Sequence, residues 1–106
     1  MKSPMVSVIM SVYNEPAEWI MLAIDSVLHQ TYRDVEFIIV CDNPDNDSIC
    51  NLLSNYMDND TRIVLILNKT NIGLTRSLNV ALHKCKGKYI ARMDADDISF
   101  PNRFEK

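Results

Sequence analysis

The chain has 106 residues, of which 47% are hydrophobic and 24% are charged, and its formal net charge at pH 7 is -3. This composition is typical of one globular domain and excludes disordered and collagen-like chains. The charge balance does not predict a nucleic-acid partner, and no apolar run approaches the ~20 residues of a transmembrane helix. Three cysteines without a C-x-x-C pair predict buried thiols rather than a disulfide framework or a zinc site. The N-terminus lacks a secretion-signal pattern, so the expected location is the cytoplasm.

Four short segments rich in β-branched residues predict strands at positions 5–12, 35–41, 62–67 and 89–93. Between them lie helical patterns, the first of which runs from Pro16 to about Gln30. The second and third helices are predicted from the apolar stripes Ile49, Leu52, Leu53, Tyr56 and Leu74, Leu78, Ala81, Leu82, Cys85. Gly87 is predicted to cap the third helix at its C-terminus. The alternation predicts an α/β fold with an open, mainly parallel, Rossmann-like sheet, helices on both faces, and an end after the fourth strand.

Polar residues follow three of the predicted strands. They are Tyr13, Asn14 and Glu15 after the first strand, Asp42 after the second, and Asp94, Asp96 and Asp97 after the fourth. Open α/β sheets bind ligands at the carboxyl ends of their strands, so these side chains are expected at one edge. Neither G-x-G-x-x-G nor a P-loop motif occurs, and a bound phosphate would therefore need a side chain or a metal ion.

The acidic cluster 94–97 contains three carboxylates in four positions. Close carboxylate pairs repel by about 1 kcal/mol in water, and a divalent cation relieves this repulsion. In an extended segment Asp94 and Asp96 point to the same side, and their oxygen ligands suit Mg²⁺ or Mn²⁺. The alternative is a solvated acidic turn that caps a helix near Pro101.

Arg76 and Asp42 each allow two interpretations. Arg76 falls in the first turn of the third predicted helix, where the macrodipole disfavours a cation, so a nearby anion would explain its position. It could equally pair with Asp42 or Asp94, or remain solvated. Asp42 could accept a hydrogen bond from a base N–H, or it could serve the local turn. Tyr13 could stack on a base or pack against the strand end.

Five blocks along the chain together resemble glycosyltransferase family 2. They are VSVIMSVYN (6–14), SVLHQTY (26–32), FIIVCD (37–42), NIGLTRSLN (71–79) and GKYIARMDADD (87–97), followed by Pro101. The resemblance implies an inverting, metal-dependent enzyme of the GT-A fold. Residues 1–106 would then form a single nucleotide-sugar-binding domain, the N-terminal part of a larger glycosyltransferase domain.

The resemblance also implies roles for particular residues. It places Val12, Tyr13, Asn14, Glu15, Asp42, Arg76, Asp94, Ala95 and Asp96 at the nucleotide sugar. Asp42 would accept from the uracil N3–H, and Arg76 would lie near the base or the phosphates. Asp94 would hold the ribose or metal side of the nucleotide, and Asp96 would coordinate Mn²⁺ or Mg²⁺. The chain departs from the family pattern at Cys41–Pro44, where two acids followed by Gly and Ser are usual.

The expected function is transfer of a sugar from a UDP-sugar to an acceptor hydroxyl with inversion, in polysaccharide or lipid-linked glycan synthesis. The full-length protein would then act in the cytoplasm or at the inner face of the membrane. The catalytic base is expected beyond Lys106. Three alternatives remain: a donor-binding module without turnover, a nucleotidyltransferase, and a phosphoryl-transfer receiver or phosphatase domain. A nucleotidyltransferase usually carries a glycine-rich basic loop after its first strand, which is absent from positions 13–16.

Overall fold

The computed structural model describes residues 6–29 and 35–93, and all structural statements concern these residues. The strands are β1 (Val6–Val12), β2 (Val35–Cys41), β3 (Ile63–Leu67) and β4 (Tyr89–Arg92), and the helices are α1 (Ala17–Leu28), α2 (Asp47–Asn59) and α3 (Leu74–Lys84). The strands form one parallel sheet in the order β3-β2-β1-β4. The predicted open parallel α/β sheet is confirmed, and the predicted bounds of β2 are those observed. Within the described residues, no helix combines the length and apolar character needed to cross a bilayer.

Both faces of the sheet are covered by helices, as the alternation of elements predicted. On one face, alternate β1 residues such as Val8 and Met10 join a core with residues of α1 and α2. On the other face, Ile9 and Ile38 pack in a smaller cluster with Ala81 of α3. Every residue of β1 is buried, because this central strand is covered on both sides. A continuous run of β-branched and small side chains is what such a strand requires.

The strand order places a crossover next to β1. From β1 the chain moves outward through β2 to β3, and it then crosses through α3 to pair β4 with the other side of β1. Helix α3 contacts both β1 and β2 on its way. In open α/β sheets the ligand crevice lies at the carboxyl ends of the strands where the order reverses. Here that point is the carboxyl end of β1.

Gly87 does not have the predicted capping role. Helix α3 ends at Lys84, and its C-cap residue is Cys85, whose backbone is extended. Gly87 instead lies against β1, where a Cβ atom would come within 2.7 Å of the backbone nitrogen of Ser7. Its amide also donates to the Ser7 hydroxyl at 2.8 Å. The glycine is therefore needed for close approach between the α3–β4 connection and β1.

Replacing Ile39 by Val should lower the free energy of unfolding by about 1 kcal/mol, because it deletes one buried methyl group. Ile39 is fully buried in the core between the sheet and helices α1 and α2. Ile90→Val, the same change at a side chain that is 50% exposed, should shift stability by less than about 0.5 kcal/mol. Urea denaturation of both variants would measure the difference, and equal effects would contradict the packing described.

Candidate functional site

A cavity of about 360 Å³ opens at the carboxyl ends of β1 and β2. Its lining combines residues from three parts of the chain: Ser11, Tyr13 and Glu15 at the end of β1, Asp42 after β2, and Asn71, Gly73 and Leu74 before and in the first turn of α3. The cavity thus lies where the strand order reverses, as expected for a ligand site in this architecture.

The backbone that follows β1 is fixed by two side chains. The Tyr13 amide donates to the Glu15 carboxylate at 2.8 Å, and the Asn43 side-chain amide donates to the Tyr13 carbonyl at 2.9 Å. The Tyr13 side chain itself is 50% exposed beside the cavity. Because the Tyr13 backbone is held in place and its side chain is half exposed, the tyrosine ring offers a surface on which a planar ring can stack.

The Asp42 carboxylate accepts four hydrogen bonds although the residue is only 2% exposed. Asn68 Nδ2 and the Ile72 amide donate to Oδ1 at 2.9 and 2.8 Å. Asn71 Nδ2 and the Gly73 amide donate to Oδ2 at 3.0 and 2.8 Å. All four donors belong to positions 68–73, which we call the 68–73 segment. The carboxylate therefore connects the end of β2 to the chain that leads into α3.

These hydrogen bonds keep Asp42 ionised. Burial alone would raise the pKa of its carboxyl group. Donors at Ile72, Asn68 and Gly73, together with the Ser77 hydroxyl, stabilise the charged form and outweigh burial, so that the pKa lies below its usual 3.8. Gly73 is the N-cap residue of α3, and a negative charge is favoured at the N-terminus of a helix.

Asn68, at the start of the 68–73 segment, also contacts β2 and α3. The Asn68 backbone donates to the Cys41 carbonyl at 3.0 Å, and its side chain also donates to the Ser77 hydroxyl at 3.1 Å. Gly73, the N-cap residue of α3, has φ 90° and ψ 164°. Residues with a side chain rarely adopt this conformation, so glycine is needed to turn the segment into the helix.

Cys41, which departs from the family pattern, faces away from the cavity. Its side chain is buried in the core with α1 and α2, and its Sγ lies 3.6 Å from Sγ of Cys50. Burial, opposed in part by a hydrogen bond at Asn43, raises the pKa of the Cys41 thiol to about 11. Cys41 is buried as predicted, whereas Cys50 and Cys85 are half-buried, and all three thiols are free. The thiol at position 41 packs the core and does not contribute to the cavity.

The remaining predicted site residues are placed differently. Val12 is fully buried, and its carbonyl accepts from the Asp42 amide at 2.8 Å. Asn14 and Arg76 are exposed and do not line the cavity. Asp94, Ala95, Asp96 and Asp97 lie outside the described residues. Their predicted roles stay predictions.

Four lining residues were not proposed from the sequence: Ser11, Asn71, Gly73 and Leu74. A usable signal was present for two of them, because Asn71 and Gly73 form an Asn-x-Gly triplet immediately before a predicted helix. Such a glycine often marks a position that needs positive φ. No comparable sequence pattern marks Ser11 or Leu74 as a cavity residue. They line the cavity because the crossover through α3 brings the start of that helix close to the end of β1.

A metal ion at this edge would depend on the residues that follow β4. Within the described ranges, no group of three or more acidic, histidine or cysteine side chains could hold a metal ion. The last described residue, Met93, donates its amide to the Ile9 carbonyl at 2.9 Å. Met93 therefore lies beside β1, the strand whose end lines the cavity, and Asp94 is the next residue in the sequence. The carboxylates of Asp94 and Asp96 are the hard oxygen donors that Mg²⁺ and Mn²⁺ prefer.

The chain matches the family model for glycosyl transferase family 2 over residues 7–106. It belongs to this family, as the resemblance of the five sequence blocks predicted. An uncharacterized glycosyltransferase of Methanocaldococcus jannaschii, MJ1057, is 45% identical over 106 residues. That alignment covers 100% of this chain and 37% of the relative, so the chain spans well under half the length of that curated protein.

Two solved structures share the GT-A fold with the chain. TarS 1-349 of S. aureus in complex with UDP-GlcNAc has a TM-score of 0.84 at 23% sequence identity, over 95% of this chain and 29% of that one. The mannosyltransferase PcManGT of Pyrobaculum calidifontis in complex with GDP-Man and Mn²⁺ has a TM-score of 0.81 at 25% identity. That match covers 96% of this chain and 30% of the mannosyltransferase.

Proposed function

We propose that this chain binds the nucleotide-sugar donor of a glycosyltransferase. The observation that carries the proposal is the cavity at the carboxyl ends of β1 and β2, beside the strand that leads into Asp94 and Asp96. Its volume suits a small-molecule ligand, and its exposed tyrosine ring suits a base. Membership of glycosyltransferase family 2 supports the same conclusion.

The donor we propose is a UDP-sugar, with Mn²⁺ or Mg²⁺ as cofactor. The family resemblance is the basis for uridine, whereas the mannosyltransferase at 25% identity was solved with GDP-Man and Mn²⁺. Both compounds are nucleoside diphosphate sugars, and the diphosphate is their common charged group. Without a glycine-rich phosphate loop, the chain needs carboxylate-bound metal to balance that charge.

Each part of the site has a distinct task in this proposal. Tyr13 stacks on the base, and Glu15 holds the Tyr13 backbone in place. Asp94 and Asp96 would hold the metal ion, which as a Lewis acid stabilises the charge of the departing nucleoside diphosphate. Arg76, in the first turn of α3, adds positive potential near the phosphates.

The proposed reaction forms a bond from the acceptor oxygen to the anomeric carbon and breaks the bond from that carbon to the diphosphate. Attack from the side opposite the leaving group inverts the anomeric configuration. The acceptor proton goes to a carboxylate base that we place beyond Lys106. A glycan or lipid-linked glycan is the proposed acceptor.

Titration with UDP tests donor binding. Addition of Mn²⁺ should tighten UDP binding about tenfold or more, the equivalent of about 1.4 kcal/mol. Asp96→Asn should abolish this enhancement, because it removes a metal-binding carboxylate. Asp58→Asn, the same change at an exposed position on α2, should leave it intact. Isothermal titration calorimetry of the folded chain with both variants measures these differences.

The assignment would be wrong for this chain if a folded sample bound UDP no more tightly with Mn²⁺ than without it. A donor-binding module without turnover is a second candidate, because the chain covers only 37% of the length of its M. jannaschii relative. Donor binding in the absence of UDP release from a UDP-sugar would favour this second candidate.

A further inference from the structure

We propose that Cys41 and Cys50 form a reversible disulfide when the chain meets hydrogen peroxide, and that this bond weakens donor binding at the cavity. The disulfide follows from contacts within the protein and involves no ligand. Its effect on the donor rests on the proposed function and adds regulation by oxidation to the same site.

The two sulfur atoms lie close enough to bond after a small movement. Cys41 is the last residue of β2, Cys50 lies near the start of α2, and their Sγ atoms are 3.6 Å apart. An S–S bond is about 2.05 Å long, so side-chain rotation with a small shift of α2 must bring the sulfurs together. Cys85 packs with Ala81 on the opposite face of the sheet, so it is not a partner for either thiol.

The connection between β2 and α2 holds the two cysteines near each other. The Asn46 amide donates to the Asn43 carbonyl at 3.1 Å, and the Cys50 amide donates to the Asn46 carbonyl at 3.0 Å. The Asn46 side chain also caps α2 by accepting from the Ile49 amide at 3.1 Å. Because these bonds already order the connection, little loop entropy is lost when the disulfide closes.

The two thiols differ in exposure, and this difference sets the order of the reaction. Cys50 is half-buried, whereas Cys41 is fully buried and burial raises the pKa of its thiol to about 11. The Cys50 sulfur releases its proton to solvent and attacks one oxygen of hydrogen peroxide. The O–O bond breaks, Cys50 becomes a sulfenic acid, and the departing hydroxide takes up a proton as water.

The Cys41 sulfur completes the disulfide. It attacks the Cys50 sulfur, the S–O bond of the sulfenic acid breaks, and the departing hydroxide leaves as water with the Cys41 proton. The two thiols together lose two electrons and two protons, and one peroxide molecule is reduced to two molecules of water. A dithiol reductant reverses the reaction by exchange.

The disulfide reaches the cavity through Asn43. The Sγ atoms of Cys41 and Cys50 donate to the Asn43 carbonyl at 3.8 and 3.7 Å. The Asn43 side chain in turn donates to the Tyr13 carbonyl at 2.9 Å. Oxidation removes both S–H donors and draws α2 toward β2, so Asn43 shifts and its hydrogen bond to Tyr13 weakens. Tyr13 lines the cavity, and the binding of a stacked base weakens with it.

Peptide mapping after peroxide treatment of the folded chain tests the disulfide. Both cysteines lie in the tryptic peptide 34–62, so the bond appears as the loss of two hydrogen atoms from this peptide. Cleavage before Asp42, Asp45 and Asp47 separates the cysteines, and the fragments stay joined only through the disulfide. We expect joined fragments after oxidation and separate fragments after dithiothreitol.

Titration with UDP in the presence of Mn²⁺ tests the effect on the cavity. Oxidation should weaken UDP binding about threefold or more, as expected for loss of one ordinary hydrogen bond, and dithiothreitol should restore it. Cys50→Ser should bind UDP like the reduced parent chain and show no response to peroxide, and Cys50→Ala takes its place if the serine variant does not fold. Cys85→Ser keeps the pair and should respond like the parent chain.

Two results would overturn the inference. One is a folded parent chain in which Cys41 and Cys50 stay reduced, or are oxidised separately, after peroxide treatment. The other is a disulfide-bonded chain that binds UDP as tightly as the reduced chain. If the reduced chain did not bind UDP with Mn²⁺, the proposed function would fail, and the peptide masses would still decide the disulfide. The amide NMR signals of Tyr13 and Asn43, compared between the reduced and oxidised chains, would then decide whether the disulfide alters the cavity.

Discussion

Asp42→Asn is expected to lower the free energy of unfolding by about 3 kcal/mol at pH 7, because hydrogen bonds to a buried charged group contribute about 1.5–3 kcal/mol each and are not additive. An amide in this place keeps one oxygen and turns an NH₂ group toward two donors. In one orientation the new NH₂ group faces the N–H donors of Asn68 and Ile72, and in the other it faces those of Asn71 and Gly73. In both orientations two donors lose their acceptor. Asp45→Asn should change stability by less than about 0.5 kcal/mol, since Asp45 is exposed.

The effect of Asp42→Asn should depend on pH. The pKa of Asp42 in the folded chain lies below its usual 3.8, so its charged form stabilises the fold fully above that value. This contribution is lost as the pH falls through the lower, folded-state pKa. The difference between the variant and the unmodified chain should therefore narrow below pH 3.8. Urea denaturation at neutral and acidic pH would measure it, and a difference independent of pH would contradict the ionised state described here.

Gly87→Ala is expected to destabilise the chain by about 3 kcal/mol, at the upper end of the usual cost of overpacking. The added Cβ would lie 2.7 Å from both the backbone nitrogen and the hydroxyl oxygen of Ser7, and 2.9 Å from the Val6 carbonyl carbon. Ser7 and Val6 belong to the central strand, whose backbone is hydrogen-bonded on both sides. The strand cannot move away without disturbing its pairing, so the α3–β4 connection must shift.

Lys88→Ala provides the control for Gly87→Ala, because Lys88 is the adjacent residue and is exposed. It should alter stability by less than about 0.5 kcal/mol. Thermal or urea denaturation of the two variants would give the comparison. A stability of Gly87→Ala equal to that of the Lys88 variant would mean that the connection does not approach β1 as closely as described.

The fold was largely predictable from the sequence because its two central strands, β1 and β2, are buried on both faces and consist mostly of apolar residues. The second strand was predicted with the observed bounds, and the helical stripes of α2 and α3 correspond to observed helices. Gly87 was misassigned for a physical reason. A glycine after a helix is locally typical of a cap, and the sequence does not show that a distant strand approaches it.

The candidate site was predicted only in part. Tyr13, Glu15 and Asp42 were expected at the carboxyl edge of the sheet, and they do line the cavity. The contribution of Asn71 and Gly73 to the cavity was not expected. It depends on the spatial order of the strands in the sheet, which the sequence does not show directly. The same limit applies to Asp42, since four hydrogen bonds from another part of the chain cannot be inferred from one aspartate.

The crossover through α3 also bears on the order in which the chain can fold. Pairing of β4 with β1 brings together distant positions, as in the Gly87–Ser7 hydrogen bond between residues 80 positions apart. The Asp42–Gly73 contact spans 31 positions. A longer loop costs more entropy to close before any contact forms, so the β1–β2 and β2–β3 pairs can precede the pairing of β4. The residues around Asp42 thus lie between the β1–β2–β3 part of the sheet, which can form early, and the α3–β4 crossover, which closes later. Ligand binding there would stabilise the docking of the crossover.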